Sequence, residues 1–291
     1  MKLKVTINGK AYEAEKGELL LNLCRRNRIL IPTLCHHEGL SGLGACRLCV
    51  VEVNEGGGNK VVVSCVYPLS RDCKVFTESE KIKNIRKTIL SMLITRAPAG
   101  DRLASLCHIY GVESDQGSAN KRFASFKPVK GTYSEKLLAS SCVLCGLCAQ
   151  ACASLGTGAI STAGRGVGKK VSTPYGEPSA DCVGCGSCAA VCPTRAIECS
   201  EGKGYRSIWG RKFKLLHCAS CNKSFATGEE YALALEKAGT QTASVAHDVQ
   251  DRDAMAHDAT GAANQPPLCD SCRRKKSADV LAGVFGARTR E

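Results

Sequence analysis

The chain has 291 residues, a formal charge of +13 and twenty cysteines. No stretch approaches the roughly 18 consecutive apolar residues that cross a bilayer, and MKLKVTINGK has no apolar core of a secretion signal. A disulfide scaffold is a device of short secreted chains, so thiolates gathered on metals in a cytoplasmic setting are the expectation. The charge is misleading as a nucleic-acid signal, because each four-thiolate metal site carries about −2 and four such sites lower +13 to about +5. No nucleic-acid partner is therefore expected. Aromatics are only 5%, so metal sites are expected to supply much of the folding free energy of two to four small domains.

Residues 1–77 read as a β-rich module. KLKVTI and AYEAE are two strands meeting at Asn8-Gly9, a strong hairpin signal. ELLLNLCRRNR follows as a short helix, and CRLCVVEV and KVVVSC form a further strand pair around NEGGGN. Residues 78–132 read as a helical bridge: ESEKIKNIRKTILSMLITR places Ile82, Ile85, Ile89 and Leu93 at helical spacing, and DRLASLCHIYGV is a second helical stretch before a polar linker. Residues 133–203 hold two dense cysteine runs. Residues 204–291 hold two separated CxxC pairs around TQTASVAHDVQDRDAMAHDATGAANQPP, which reads as a solvated loop or partly disordered linker.

Cys35, Cys46, Cys49 and Cys65 follow the pattern C-x10-C-x2-C-x15-C. An iron–sulfur core needs several thiolates converging on one point. A loop supplies the first three, and glycines at 39, 42 and 44 let its backbone wrap closely. The first gap is longer than in plant-type ferredoxins. Cys73 competes with Cys65 for the fourth position. His36 and His37 beside the first ligand are expected to line the cluster or a partner surface, since four cysteines leave no need for a two-histidine iron site.

IPTLCHHEGLSGLGACRLCVVEV resembles the N-terminal ferredoxin-like domain of the NADH-quinone oxidoreductase G chain, and equally the diaphorase subunit of NAD-linked hydrogenases and formate dehydrogenases. The resemblance implies a β-grasp fold with one [2Fe–2S] cluster on Cys35, Cys46, Cys49 and Cys65. VVVSCVYP matches the strand-end Cys with a following Pro in that family, which favours Cys65 over Cys73. The family carries a His and three Cys next, for a further [4Fe–4S] cluster. Here ITRAPAGDRLASLCHIYGV offers only the adjacent Cys107 and His108, so that cluster is expected to be absent. Cys107, like Cys24, is expected to be a buried structural thiol.

The strongest signal lies in CVLCGLCAQAC and CVGCGSCAAVCP, each C-x2-C-x2-C-x3-C. In two-cluster bacterial ferredoxins the fourth Cys of each run ligates the other cluster. One [4Fe–4S] cluster is expected on Cys142, Cys145, Cys148 and Cys192, and the other on Cys182, Cys185, Cys188 and Cys152. Glycines at 146, 184 and 186 permit close approach of the backbone. The first run ends in Ala153 where the pattern has Pro, which removes no ligand. The insert between the runs, with its AGRG turn, again resembles the hydrogenase and G-chain family, and the likeness extends over about residues 1–200. Cys199 has no place in the pattern.

Cys218-x2-Cys221 and Cys269-x2-Cys272 fit a tetrahedral zinc site, with a further [4Fe–4S] cluster and unmetallated thiols as the alternatives. The second pair opens a helix-like segment, as in treble-clef fingers. RRKK at 273–276 reads as a solvated face or a docking patch for an acidic partner. His217, His247 and His257 are poor ligands beside four cysteines.

The fold class expected is α+β and multidomain: a β-grasp [2Fe–2S] domain, a helical bridge, a two-cluster ferredoxin domain and a small treble-clef-like metal domain. No GxGxxG, Walker motif or flavin site is present in the sequence. Catalytic residues are therefore expected in none of these modules. The resemblance implies a subunit that relays single electrons between a flavoprotein NAD(H)-binding partner and a catalytic subunit, of a hydrogenase first and a formate dehydrogenase next. A free multi-cluster ferredoxin and, more remotely, a zinc-containing nucleic-acid-binding or scaffold protein are the other classes.

Overall fold

The computed structural model describes residues 2–97, 101–112, 141–245 and 267–276. They form two compact units: 1–175 with 187–197, and 176–186 with 198–291. The polar linker expected after residue 112 lies outside the described residues.

The first unit begins with β1 (Lys2–Ile7) and β2 (Lys10–Glu15), antiparallel through the Asn8-Gly9 turn. Both turn residues have positive φ, 48° and 87°, the geometry that matches strand twist. The helix α1 (Leu20–Arg26) follows and buries Leu20, Leu21, Leu23 and Cys24, each apolar side chain worth roughly 2 kcal/mol out of water. β3 (Val50–Asn54) pairs antiparallel with β4 (Asn59–Val63), and β5 (Cys73–Phe76) joins β3 to a parallel pairing with β1. The sheet order is β2-β1-β5-β3-β4. Its buried face meets α1 in a core of Val5, Ile7, Val51, Val53 and Val75.

Two helices come next, α2 (Glu80–Arg96) and α3 (Asp101–Ile109). Ser79 caps α2 through a bond from the Ile82 amide, and its own hydroxyl donates to Glu52 on β3. Arg86 on α2 is fully buried and donates to the carbonyls of Leu48 and Val50, on either side of Cys49. The unit also holds α4 (Leu147–Ser154), a small hairpin of β6 (Ser161–Ala163) and β7 (Lys170–Ser172), and α5 (Ser187–Ala190).

The second unit is built on a meander, β8 (Cys199–Gly202), β9 (Tyr205–Ile208), β10 (Arg211–His217) and β11 (Ser224–Thr227), in the order β11-β10-β9-β8. Lys203-Gly204 and Trp209-Gly210 make its first two turns, with all four residues at positive φ. The helix α6 (Gly228–Val245) follows. It runs through residues 240–245, the start of the segment read from composition as a loop. The cause is local: Thr227 and Glu230 form a reciprocal capping box, Glu230 N–H to Thr227 Oγ1 and Thr227 N–H to Glu230 Oε2. The rest of that segment, with His247 and His257, lies outside the described residues up to Pro267. Residues 270–276 are helical. Among the described residues no helix is long and apolar enough to cross a membrane.

Candidate metal centres

None of the twenty cysteines forms a disulfide. Some of them are brought near one another by the folded backbone from separate parts of the sequence.

The first group sits at one end of the five-stranded sheet. Cys35, Cys46, Cys49 and Cys65 are all buried. The Cys46 amide donates to Cys35 Sγ at 3.2 Å, and the Leu34 amide donates to Cys46 Sγ at 3.4 Å. Cys46 is pulled down to about 6, first by a bond from the Cys35 thiol, with backbone amides adding to it. Cys49 is pulled down to about 7 by a bond from the Cys65 thiol. Cys35 and Cys65, which hold the protons, move up. The bonds make two pairs, Cys35 with Cys46 and Cys49 with Cys65, and the Cys65 thiol also feels Cys35 and Cys46; a bound metal cation would take the place of the protons such thiols hold. Cys73, on β5, is pushed up to about 11 by burial and then by Glu55 and Asp72, with no cysteine acting on it. The Gly42 backbone presses on the carbonyl of Cys65: a Cβ there would lie 2.8 Å from that oxygen. His36 is half-buried and His37 exposed.

The second group lies on the loop before α4. Cys145 is pushed up to about 11, mainly by burial, with Cys192, Cys142 and Cys46 adding to it. Cys148 rises to about 12 through burial and through Cys145, Cys142 and Cys192. Cys192, from the second run, is thus near enough to Cys145 and Cys148 to act on both. Amides point at two of these sulfurs, Leu144 N–H to Cys142 Sγ at 3.4 Å and Ala196 N–H to Cys192 Sγ at 3.2 Å. The α4 helix starts at Gly146 with φ of 79°, and a Cβ there would lie 2.9 Å from Leu43 Cδ1. Cys152, at the end of α4, has its sulfur 3.1 Å from the Thr157 hydroxyl.

The loops of these two groups share one core. Cys35, Cys46 and Cys145 are buried together with Leu34, Leu48, Leu90, Leu103, Val143 and Leu147. Gln150 Nε2 on α4 donates to the Ser41 carbonyl at 3.0 Å. Cys107 on α3 is buried in the same core, while His108 faces solvent.

In the second unit, Cys182 and Cys185 stand on the loop 179–186, and Cys199 is exposed on β8. Cys218, Cys221, Cys269 and Cys272 bring their four sulfurs within 4.8 Å of one another. The β10–β11 connection forms the first knuckle, Cys218 N–H to Lys223 O at 3.0 Å and Asn222 N–H to Cys218 O at 2.8 Å. Cys218 is drawn down to about 6 by amide hydrogen bonds from Cys269 and Cys221. A four-thiolate cage with one thiol already prone to ionise suits a tetrahedral dication. His217 stays outside it, with Nδ1 3.2 Å from the Asn222 carbonyl. The helix after Cys269 carries Arg273, Arg274, Lys275 and Lys276 exposed.

Sequence reasoning missed the side chains that support these loops. Arg86 looked like one polar position in an amphipathic helix, and nothing in its spacing reveals that it is buried. Arg206, Arg211 and Thr227 lie on strands that were not anticipated, although the Lys203-Gly204 and Trp209-Gly210 turns and the T-x-x-E cap were available signals.

Two segments that carry these cysteine groups match iron–sulfur domain families. Residues 1–80 match a 2Fe-2S iron-sulfur cluster binding domain, and residues 141–196 match a 4Fe-4S dicluster domain. The chain is 30% identical over 203 residues to the NADPH-Fe(3+) oxidoreductase subunit alpha of Geobacter sulfurreducens, covering 67% of this chain and 24% of that one. It is 30% identical over 212 residues to the NADP-reducing hydrogenase subunit HndD of Solidesulfovibrio fructosivorans, covering 67% and 36%. It is 28% identical over 236 residues to the NADH-ubiquinone oxidoreductase 75 kDa subunit of Reclinomonas americana, covering 78% and 33%. The chain thus spans about a quarter to a third of the length of these curated relatives. A chain of an NAD+-reducing [NiFe]-hydrogenase, solved in the H2-reduced state, shares the fold with a TM-score of 0.52 at 24% identity, over 67% of this chain and 86% of that one. The resemblance read from the cysteine motifs is borne out by these homologues, which are subunits of oxidoreductase complexes.

Proposed function

We propose that this chain carries single electrons through one [2Fe–2S] and two [4Fe–4S] clusters, between a flavoprotein that binds NAD(H) and the catalytic subunit of a hydrogenase. The [2Fe–2S] ligands are Cys35, Cys46, Cys49 and Cys65, in a β-grasp domain. The [4Fe–4S] ligands are Cys142, Cys145, Cys148 and Cys192 for one cluster, and Cys182, Cys185, Cys188 and Cys152 for the other. Cys218, Cys221, Cys269 and Cys272 hold structural zinc in a treble-clef-like domain. When bound, the clusters supply the one-electron chemistry; the protein fixes their spacing, excludes water and aims N–H groups at sulfur.

The observation that carries the reading is the shared core of the first two cysteine groups. Cys46 and Cys145 are buried in one hydrophobic core, so clusters held by the two groups would be neighbours. A chain built only to bind zinc or nucleic acid gains nothing from that arrangement. A partner with a flavin is needed because a hydride delivers two electrons and each cluster accepts one.

Two experiments test this. Anaerobic preparation followed by metal analysis is expected to give about 10 iron and about 1 zinc per chain, from the cluster types assigned. Anaerobic co-purification with mass spectrometry is expected to recover a flavoprotein and a hydrogenase catalytic subunit. Recovery of a formate dehydrogenase catalytic subunit moves the assignment to that complex, and an isolated active monomer moves it to a free ferredoxin.

A further inference from the structure

The loop carrying Cys182 and Cys185 hands its carbonyl groups to side chains of the meander. Arg211 Nη1 donates to the carbonyls of Ser179, Ala180 and Cys182 at 2.8, 3.0 and 2.7 Å. Thr227 Oγ1, on a fully buried residue, donates to Val183 O at 2.5 Å. Arg206 Nη1 donates to Gly184 O at 2.8 Å, while its Nε is held by Glu201 at 2.7 Å. The buried Phe213 ring closes the underside: a Cβ on Gly184 would lie 2.5 Å from it, and the Arg211 guanidinium stacks on the same ring at 4.6 Å.

Peptide geometry gives this clamp a direction. The described chain has no cis peptide bond, and in a trans peptide the carbonyl and the following N–H point opposite ways. Fixing the carbonyls of Cys182, Val183 and Gly184 on the sheet therefore aims the N–H groups of Val183, Gly184 and Cys185 away from it. Amide bonds to cluster sulfur favour the reduced, more negative state and so raise the potential. The clamp has its own fastening. β10 carries Arg211 and Phe213 and runs straight into Cys218; β11 carries Thr227 and begins just after Cys221. A metal on Cys218, Cys221, Cys269 and Cys272 thus closes the hairpin that holds the loop.

We infer that Arg206, Arg211 and Thr227 are positioning residues that set the reduction potential of the [4Fe–4S] cluster on Cys182 and Cys185, and that the C-terminal zinc locks them in place. This rests on the cluster and zinc assignments proposed above. The test is an EPR-monitored redox titration of the anaerobic holoprotein carrying Thr227→Val or Arg211→Gln. One [4Fe–4S] couple is expected to shift about tenfold toward its oxidised form, about 59 mV lower for one electron. The other [4Fe–4S] couple and the [2Fe–2S] couple stay in place, and Thr227→Ser restores the wild-type potential. Stripping zinc from the wild-type holoprotein with a chelator is expected to speed iron release from the same cluster about tenfold. That arm carries the test if a variant fails to fold. Unmoved potentials in both variants, or iron retention unchanged after zinc removal, would overturn the inference. Wild-type protein showing only one [4Fe–4S] signal would instead sink the underlying ligand assignment.

Discussion

Replacing Arg86 with alanine exposes how the [2Fe–2S] loop is held. The side chain is 0% exposed and makes bonds to Leu48 O at 3.1 Å, Val50 O at 2.9 Å, Tyr110 Oη at 2.8 Å and Glu78 Oε1 at 2.5 Å. Its loss strands two buried carbonyls, at about 1–2 kcal/mol each. The lost stem leaves a cavity worth about 1–2 kcal/mol. The Glu78 pair adds only about 0.5 kcal/mol, because Glu78 is 44% exposed and screened. The sum is roughly 5 kcal/mol, which for a unit of this size lowers the melting temperature by about 10–20 °C. Arg86→Lys keeps the charge but reaches fewer of the acceptors, and is expected to lose about half as much. Anaerobic thermal melts followed by circular dichroism, with bleaching of visible absorbance recorded in parallel, measure both effects. Because the stranded carbonyls flank Cys49, the [2Fe–2S] chromophore is expected to bleach with or before the helix signal. An Arg86→Ala protein melting within 2 °C of wild type, a small fraction of the shift expected from these bonds, refutes the reasoning.

Cys65→Ser is expected to abolish the [2Fe–2S] EPR signal, whereas Cys73→Ser retains it and costs about 1–2 kcal/mol for burying a hydroxyl; the reverse pattern would move the fourth ligand to Cys73. Gly42→Ala forces a methyl group against the Cys65 carbonyl and is expected to destabilise the first unit by about 1–3 kcal/mol, read in the same melts. Gly184→Ala meets the Phe213 ring and a φ of 67° together, so it is expected to release iron from one [4Fe–4S] cluster while the other two clusters stay loaded. Cys218→Ser is expected to remove about 1 zinc per chain in metal analysis, against an unchanged zinc content if the four thiols are not a metal cage.

The parts of the fold set by short-range chemistry were legible in the sequence. Asn8-Gly9 demanded a tight hairpin, Ile82, Ile85 and Ile89 demanded a helix, and the two C-x2-C-x2-C-x3-C runs grouped themselves. What was hidden depends on partners far along the chain. Arg86 and the Leu48 carbonyl are 38 positions apart, and only the closed fold reveals that they meet. Composition misled at residues 240–245, where alanine, threonine and glutamine suggested a loop. A capped start at Thr227 and Glu230 propagates the helix into them, since extending an existing helix costs far less than starting one. The meander was lost in the same way, because short polar strands such as CSEG carry almost no alternation to read.

Enclosing Cys46 and Cys145 in one hydrophobic core has a kinetic corollary. Where two redox modules meet through a tether, each transfer awaits a productive collision, and its rate follows salt and viscosity. Here the loop of Cys35 and Cys46 and the loop of Cys145 meet where Leu43 approaches Gly146, and Gln150 is pinned to Ser41. If the clusters sit as proposed, transfer across that junction would need no docking event, and ionic strength would be expected to govern only the steps at which electrons enter and leave the chain.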